Sequence, residues 1–177
     1  MKLLRSWPAT VPPGRAYVHD AVPRLVMRDY DYRILGDVDD DVLLIEWDLA
    51  IGKDDLVEFA DRARATPDRV LVAPYRLYAY SSDRDRPAPV WAHRRYIGTP
   101  ETGQLVHVAE GDPVAHLWGL GLTYLPRQVI AAFLAAWSGD VSDGSMSGWH
   151  YRNVEPGVPI TWDIRPVHLH YQIPSIS

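Results

Sequence analysis

Val42-Leu43-Leu44-Ile45-Glu46-Trp47-Asp48 is the stretch on which the reading of this chain turns. Four consecutive apolar residues, β-branched at both ends, describe a strand buried on both faces, as in the interior of a sheet. Polarity then returns at once, with two carboxylates spaced i and i+2. Downstream, Asp54-Asp55 opens a helix expected through about residue 65. Leu56, Phe59, Ala60 and Ala63 mark its apolar face, and Pro67 follows its end. Val70-Leu71-Val72-Ala73-Pro74 is the next strand. Strand, helix and strand with short connectors form a βαβ unit, whose strands are expected to run parallel with a right-handed crossover.

Outward from this unit the pattern is less regular. The first forty residues are punctuated by Trp7-Pro8, Val11-Pro12-Pro13-Gly14 and Val22-Pro23, which disfavours long helices there. Short strands are expected near residues 16–19 and 32–35, and residues 37–41 read as a solvated acidic turn. Residues 75–100 are polar, aromatic and Arg-rich, and read as a long connection. A strand is expected over 105–108, and residues 116–126 read as a strand interrupted by glycines. A helix over 127–137 begins after Pro126, and a turn or helix cap at residues 142–145 leads to a short helix through Tyr151. Two final strands are expected, over 159–162 and 167–171. With neither repeat nor internal boundary in its sequence, the chain reads as a single domain spanning residues 1–177.

Composition bounds the function. The 177 residues are 47% hydrophobic and 23% charged, enough for an ordinary core. Seven Trp and ten Tyr against two Phe suit an amphipathic cleft, or simply fill the core. The net charge of −5, with Lys2 and Lys53 the only lysines, argues against a protein that coats nucleic acid. Arg, the prevailing cation, still grips phosphate well. Without cysteine, a metal must be held by carboxylate, imidazole or water. Neither a signal-peptide pattern nor a membrane-length apolar run is present, so the expected location is the cytoplasm.

Three groups of residues could carry chemistry. Glu46 and Asp48 follow the buried strand, where open α/β sheets bind ligands. They are either a solvated strand end or oxygen ligands for a hard cation such as Mg²⁺ or Mn²⁺. His168 and His170 share one face of a late strand, as a surface pair or as cation ligands. Asp143 is either a helix cap or a general base facing a cleft. Asp140 competes with it, and His150 could serve instead or merely pack.

The order of these motifs resembles the GT-A-type glycosyltransferases. The resemblance runs loosely from residue 41 to residue 171. It implies an α/β fold: a Rossmann-like domain with a mixed, mostly parallel sheet flanked by helices, here with a shortened N-terminal half. It also implies a hexosyltransferase-like activity that moves a sugar from a nucleotide-sugar donor to an acceptor hydroxyl, assisted by Mn²⁺ or Mg²⁺ and inverting the anomeric centre. By this resemblance Asp48, with His170 or His168, holds the metal, while Glu46 and Trp47 complete the acidic motif. Trp118, Gly119, Gly121 and Tyr124 fall in the segment that lines the donor-sugar and acceptor site, and Asp143 falls at the catalytic base. Arg94 and Arg95 are candidate phosphate clamps, and Trp118 or Trp149 a stacking surface for a sugar ring.

The chain departs from the pattern in two ways. Its acidic motif begins with Glu, and only a short Pro-rich segment precedes the acidic strand. Base recognition is then curtailed, supplied by a partner subunit or second copy, or rebuilt from Trp7, Arg15 and residues 75–80. The acceptor is open: protein, glycan, nucleobase or small molecule. Two rival readings use the same residues. One is a two-metal nucleotidyltransferase or phosphoesterase, the other a non-catalytic carbohydrate-binding relative.

Overall fold

The computed structural model describes residues 1–6, 24–25, 32–46, 49–79, 88–98, 102–138 and 145–168. In chain order the elements begin with β1 (Lys2–Ser6), β2 (Arg24–Leu25), a 3-10 helix (Tyr32–Asp37), β3 (Val42–Glu46), β4 (Leu49–Ala50) and α1 (Lys53–Ala65). The middle of the chain forms β5 (Leu71–Ala73), β6 (Arg76–Ala79), β7 (Ala88–Trp91), β8 (Arg94–Ile97), β9 (Gln104–His107) and β10 (Val114–Ala115). The last elements are β11 (Leu122–Leu125), α2 (Arg127–Ala136), α3 (Met146–Asn153), β12 (Val158–Pro159) and β13 (Val167–His168).

The fold is α/β, built on a mixed five-stranded sheet in the order β2-β1-β3-β11-β5. The continuous apolar run 42–45 forms β3, which sits at the sheet's centre. It pairs in parallel with β1 and antiparallel with β11. Because side chains alternate across a strand, β3 feeds two cores. Val42 and Leu44 pack on one face with Tyr32, Leu35, Val129, Ile130, Phe133 and Met146. Leu43 and Ile45 pack on the other with Phe59, Ala60 and Ala63 of α1. All four apolar residues are buried, as a continuous hydrophobic run demands. Completely burying one such side chain contributes about 1.5–3 kcal/mol.

β3 and β5 point the same way, as expected of a strand–helix–strand unit, but they are not neighbours. The reversed strand β11 lies between them and bonds to both. Other differences have local causes. Residues 32–35 form part of the 3-10 helix because Tyr32 and Leu35, three apart, both turn into the core. Residues 75–100 carry β6, β7 and β8 rather than one long connection: β6 pairs with β7, and β8 pairs with β9, which lies where a strand is expected over 105–108. The Arg and aromatic residues of β6, β7 and β8 hide the usual alternation. Of residues 116–126 only the 122–125 part is a strand; Leu117 makes a single bridge to Arg94. The late strand begins at Val158, with Ile160 bridging Val72. The strand expected over 16–19 lies outside the described residues. Among the described residues no helix is long and apolar enough to cross a membrane.

Candidate active site

Beyond the carboxyl end of β3 opens a cleft of about 370 Å³, lined by Glu46, Tyr75, Arg94, Trp118, Gly119 and Ser147 with their neighbours. Glu46 reaches it because β3 stays extended to its last residue: the Glu46 N–H donates to the Gly121 carbonyl at 2.7 Å. That bond continues the β3–β11 ladder one step beyond the Ile45–Leu122 pair. Glu46 and Arg94 bring opposite charges to one cavity, in walls otherwise made of aromatic, aliphatic and hydroxyl groups.

One wall depends on two glycines. A Cβ at Gly119 would lie 2.2 Å from the Tyr75 hydroxyl oxygen. One at Gly121 would lie 2.3 Å from Tyr75 Cε1 and 2.8 Å from Leu49 Cδ1. The spacing i, i+2 therefore clears one side of the segment for a buried ring. Behind it stands His93, with no exposed surface. Its Nε2–H donates to the Ala73 carbonyl at 2.9 Å, and its Nδ1 accepts the Gly119 N–H at 3.3 Å. A neutral imidazole with its proton on Nε2 satisfies both bonds. Burial pushes its pKa down to about 4, against the opposing pull of the Ala73 carbonyl.

The opposite wall comes from the start of α3. Ser145 caps that helix, its Oγ accepting the Gly148 N–H at 3.2 Å, so the turn-or-cap expectation holds at this residue. Ser145 Oγ and Ser147 Oγ are 3.0 Å apart, and both residues line the cleft. Trp118 and His150 meet edge to face, ring centroids 6.0 Å apart. Trp118 Nε1 and His150 Nδ1 are enclosed and have no hydrogen-bond partner. Burial lowers the His150 pKa, and the residue is 1% exposed, so it packs beneath the cleft wall rather than entering the cavity.

The residues singled out from the sequence separate clearly. Glu46, Arg94, Trp118 and Gly119 line the cleft, and Gly121 supports it. Arg95 does not line it: strand neighbours face opposite ways, and Arg95 Nε donates to Asp112 Oδ2 at 2.8 Å. Tyr124 is buried toward the other end of the sheet, paired with Leu43, and its hydroxyl donates to Asp41 Oδ2 at 2.9 Å. Burial, reinforced by that bond, raises its pKa. Trp149 packs against Phe133, centroids 5.5 Å apart, at the margin of the core. His168 pairs through its backbone with Leu49, the residue after Asp48 in the chain.

Trp47, Asp48, Asp140, Asp143, His170 and the His168 side chain lie outside the described residues, as do Trp7 and Arg15. Among the described residues no group of three or more His, Asp or Glu side chains gathers as a metal site. Of the candidate ligands, the Glu46 carboxylate is placed at the cleft, an oxygen donor of the kind a hard cation takes, and the His168 backbone pairs with Leu49. Tyr75 falls in the 75–80 segment offered for base recognition, whereas His93 and Ser147 were not singled out from the sequence. The glycine pair was the one available signal, since closely spaced glycines mark the close approach of something bulky.

No protein-family model matches the chain, and no curated protein matches it significantly. Among solved structures it is similar to A197 from STIV, a viral protein, with a TM-score of 0.47 and 14% identity. That alignment covers 95% of this chain and 85% of the other. Neither the identity nor the superposition is high enough to assign a family or an activity.

Proposed function

We propose that this protein is a glycosyltransferase of the GT-A type, transferring a sugar from a nucleotide-sugar donor to an acceptor hydroxyl. One observation carries the reading. The strand that runs into Glu46-Trp47-Asp48 is central in the sheet, and the strand that runs into His168-Leu169-His170 pairs with the residue just past that motif. The His168 backbone thus pairs three residues past Glu46, and Glu46 lines a cleft together with Arg94, Trp118 and Gly119, which supports the reading.

In this reading the donor diphosphate lies toward the acidic end of β3. Asp48, with His168 or His170, would hold a Mn²⁺ or Mg²⁺ ion, which supplies charge neutralisation for the departing nucleotide diphosphate. Arg94 binds phosphate oxygens from the facing wall through a guanidinium suited to paired oxygen acceptors. The Ser145 and Ser147 hydroxyls are able to bond sugar hydroxyls, while Tyr75 and Trp118 shape the apolar side of the pocket. Asp143, two residues before the Ser145 cap, takes the acceptor's hydroxyl proton as the anomeric carbon is attacked. A positioned base of this kind contributes roughly 10²–10⁴-fold.

A thermal-shift panel of UDP-, GDP- and TDP-sugars with Mn²⁺ tests the reading. At about 100 times its Kd, a ligand stabilises by about 2.7 kcal/mol, a rise of about 5–10 °C in Tm for a chain of this size. Asp48→Ala is expected to abolish the metal-dependent rise. If no nucleotide sugar moves the transition, with or without Mn²⁺, the transferase reading fails.

A further inference from the structure

Two histidines, His93 and His116, sit one on each of two paired chain segments, residues 93–96 and 116–119. The segments are joined through backbone bonds from Arg94 N–H to the Leu117 carbonyl at 2.7 Å, and from His116 and Leu117 N–H to the Arg94 carbonyl at 2.9 and 3.0 Å. Each segment also lends a ring nitrogen to the other. His93 Nδ1 accepts the Gly119 N–H at 3.3 Å, and His116 Nδ1 accepts the Tyr96 N–H at 2.9 Å. The exchange is reciprocal, and it brackets the Arg94–Leu117 bridge. Arg94, Leu117, Trp118 and Gly119 all line the cleft.

We propose that His93 and His116 are positioning residues, a neutral two-histidine clasp that fixes Arg94 and the 117–119 backbone as one wall of the ligand cleft. Both rings must be neutral, with Nδ1 bare, because an imidazolium offers no acceptor. A proton added at Nδ1 would turn an attractive contact into two opposed N–H groups.

The surroundings favour the neutral forms. His116 is half-buried, and burial, followed by the charge of Arg95, holds its pKa below the ordinary imidazole range. The groups facing it are Arg95 and Tyr96 from β8, Asp112 bound to Arg95, and Tyr151 from α3. His93 faces the Tyr75 ring at 5.7 Å, the Ala73 carbonyl and Gly119. His116 is the more exposed of the two rings, and a proton added there opens the clasp from the Tyr96 side.

The effect on ligand affinity rests on the transferase reading, whereas the clasp itself does not, so the test has two arms. His116→Asn places a non-titrating carbonyl oxygen near the Nδ1 position. His116→Phe keeps a ring beside Tyr96 and Tyr151 but accepts nothing. Isothermal titration with UDP-glucose and Mn²⁺ at pH 7.5 and pH 5.5 gives the first arm. The ratio of wild-type to His116→Asn affinity is expected near one at the higher pH, falling roughly 2- to 10-fold at the lower; His116→Phe is weaker by a similar factor at both. Using the ratio cancels titrations that both proteins share. Hydrogen exchange gives the second arm: protection of the Tyr96 amide is lost in His116→Phe and kept in His116→Asn. A ratio that does not change with pH, or undiminished Tyr96 protection in His116→Phe, overturns the clasp. If UDP-glucose binds no variant, the wild type included, the transferase reading loses support and the exchange arm alone decides the clasp.

Discussion

The two ends of β3 each carry a carboxylate, and the two face different surroundings. Asp41, just before the strand, is fully engaged: Oδ1 accepts the Arg127 N–H at 2.8 Å and Oδ2 the Tyr124 hydroxyl at 2.9 Å. It caps α2 from across the sheet, where Pro126 supplies no capping side chain. Glu46, about 16 Å along the strand at the usual rise per residue, reaches the cleft instead. Both acids flank the same buried run, so residue type does not separate them. Strand direction does: helices and turns close over the amino end, while the carboxyl ends are left to loops that can line a cavity.

The largest expected difference between the two ends is in acid. The cleft end rests on neutral His93, whose pKa falls from an ordinary 6.5 to about 4 on folding. The unfolded chain therefore binds the extra proton first. Stability present above pH 6.5 is lost as the pH falls toward 4, by roughly 3 kcal/mol in all. Urea titrations across that window should show a shallower pH slope for His93→Gln than for wild type. Equal slopes would remove His93 from the account.

Next in size is Asp41→Ala, which strips one helix cap and one acceptor of a buried hydroxyl. Its expected cost is about 1–3 kcal/mol, read as a lower urea midpoint at unchanged m-value. Nucleotide-sugar binding should be unaltered. The smallest change in stability is expected for Glu46→Gln, an exchange of equal size that keeps one side-chain oxygen, at less than about 1 kcal/mol, together with a weakened thermal shift from UDP-glucose and Mn²⁺. Were Glu46→Gln to destabilise as much as Asp41→Ala, the contrast between the two ends would collapse.

The elements that were legible in the sequence are those whose own residues carry the whole signal. The run at 42–45, the apolar stripe Leu56, Phe59, Ala60 and Ala63, and the helix after Pro126 all rest on local periodicity. Of the ladders between residues 76 and 107, β9 was legible as the strand expected over 105–108, but β6, β7 and β8 were not, because their Arg and aromatic residues hide the alternation that marks a strand. Asp41 read as a solvated acid for the same reason, its two donors being more than eighty positions away. At the cleft, Glu46, Arg94, Trp118 and Gly119 were all nameable from order and type. Tyr124 was not separable from them, since only the register of β11 turns it toward the far end of the sheet. His93 had no pattern to betray it: its role is created by the Ala73 carbonyl on one side and the Gly119 amide on the other.

The reversed strand β11 also imposes a timetable on the growing chain. β3 and β5 are made early, yet in the finished sheet each hydrogen-bonds to residues 122–125. On a ribosome adding about 5–20 residues per second, the roughly fifty residues separating β5 from β11 take roughly 2–10 s to arrive. Throughout that interval two apolar strands wait with facing edges open, and edges of that kind pair readily with other chains. The middle of this molecule is the last part of its sheet to close, so the nascent chain is most in need of a chaperone between the emergence of Ala73 and that of Leu125.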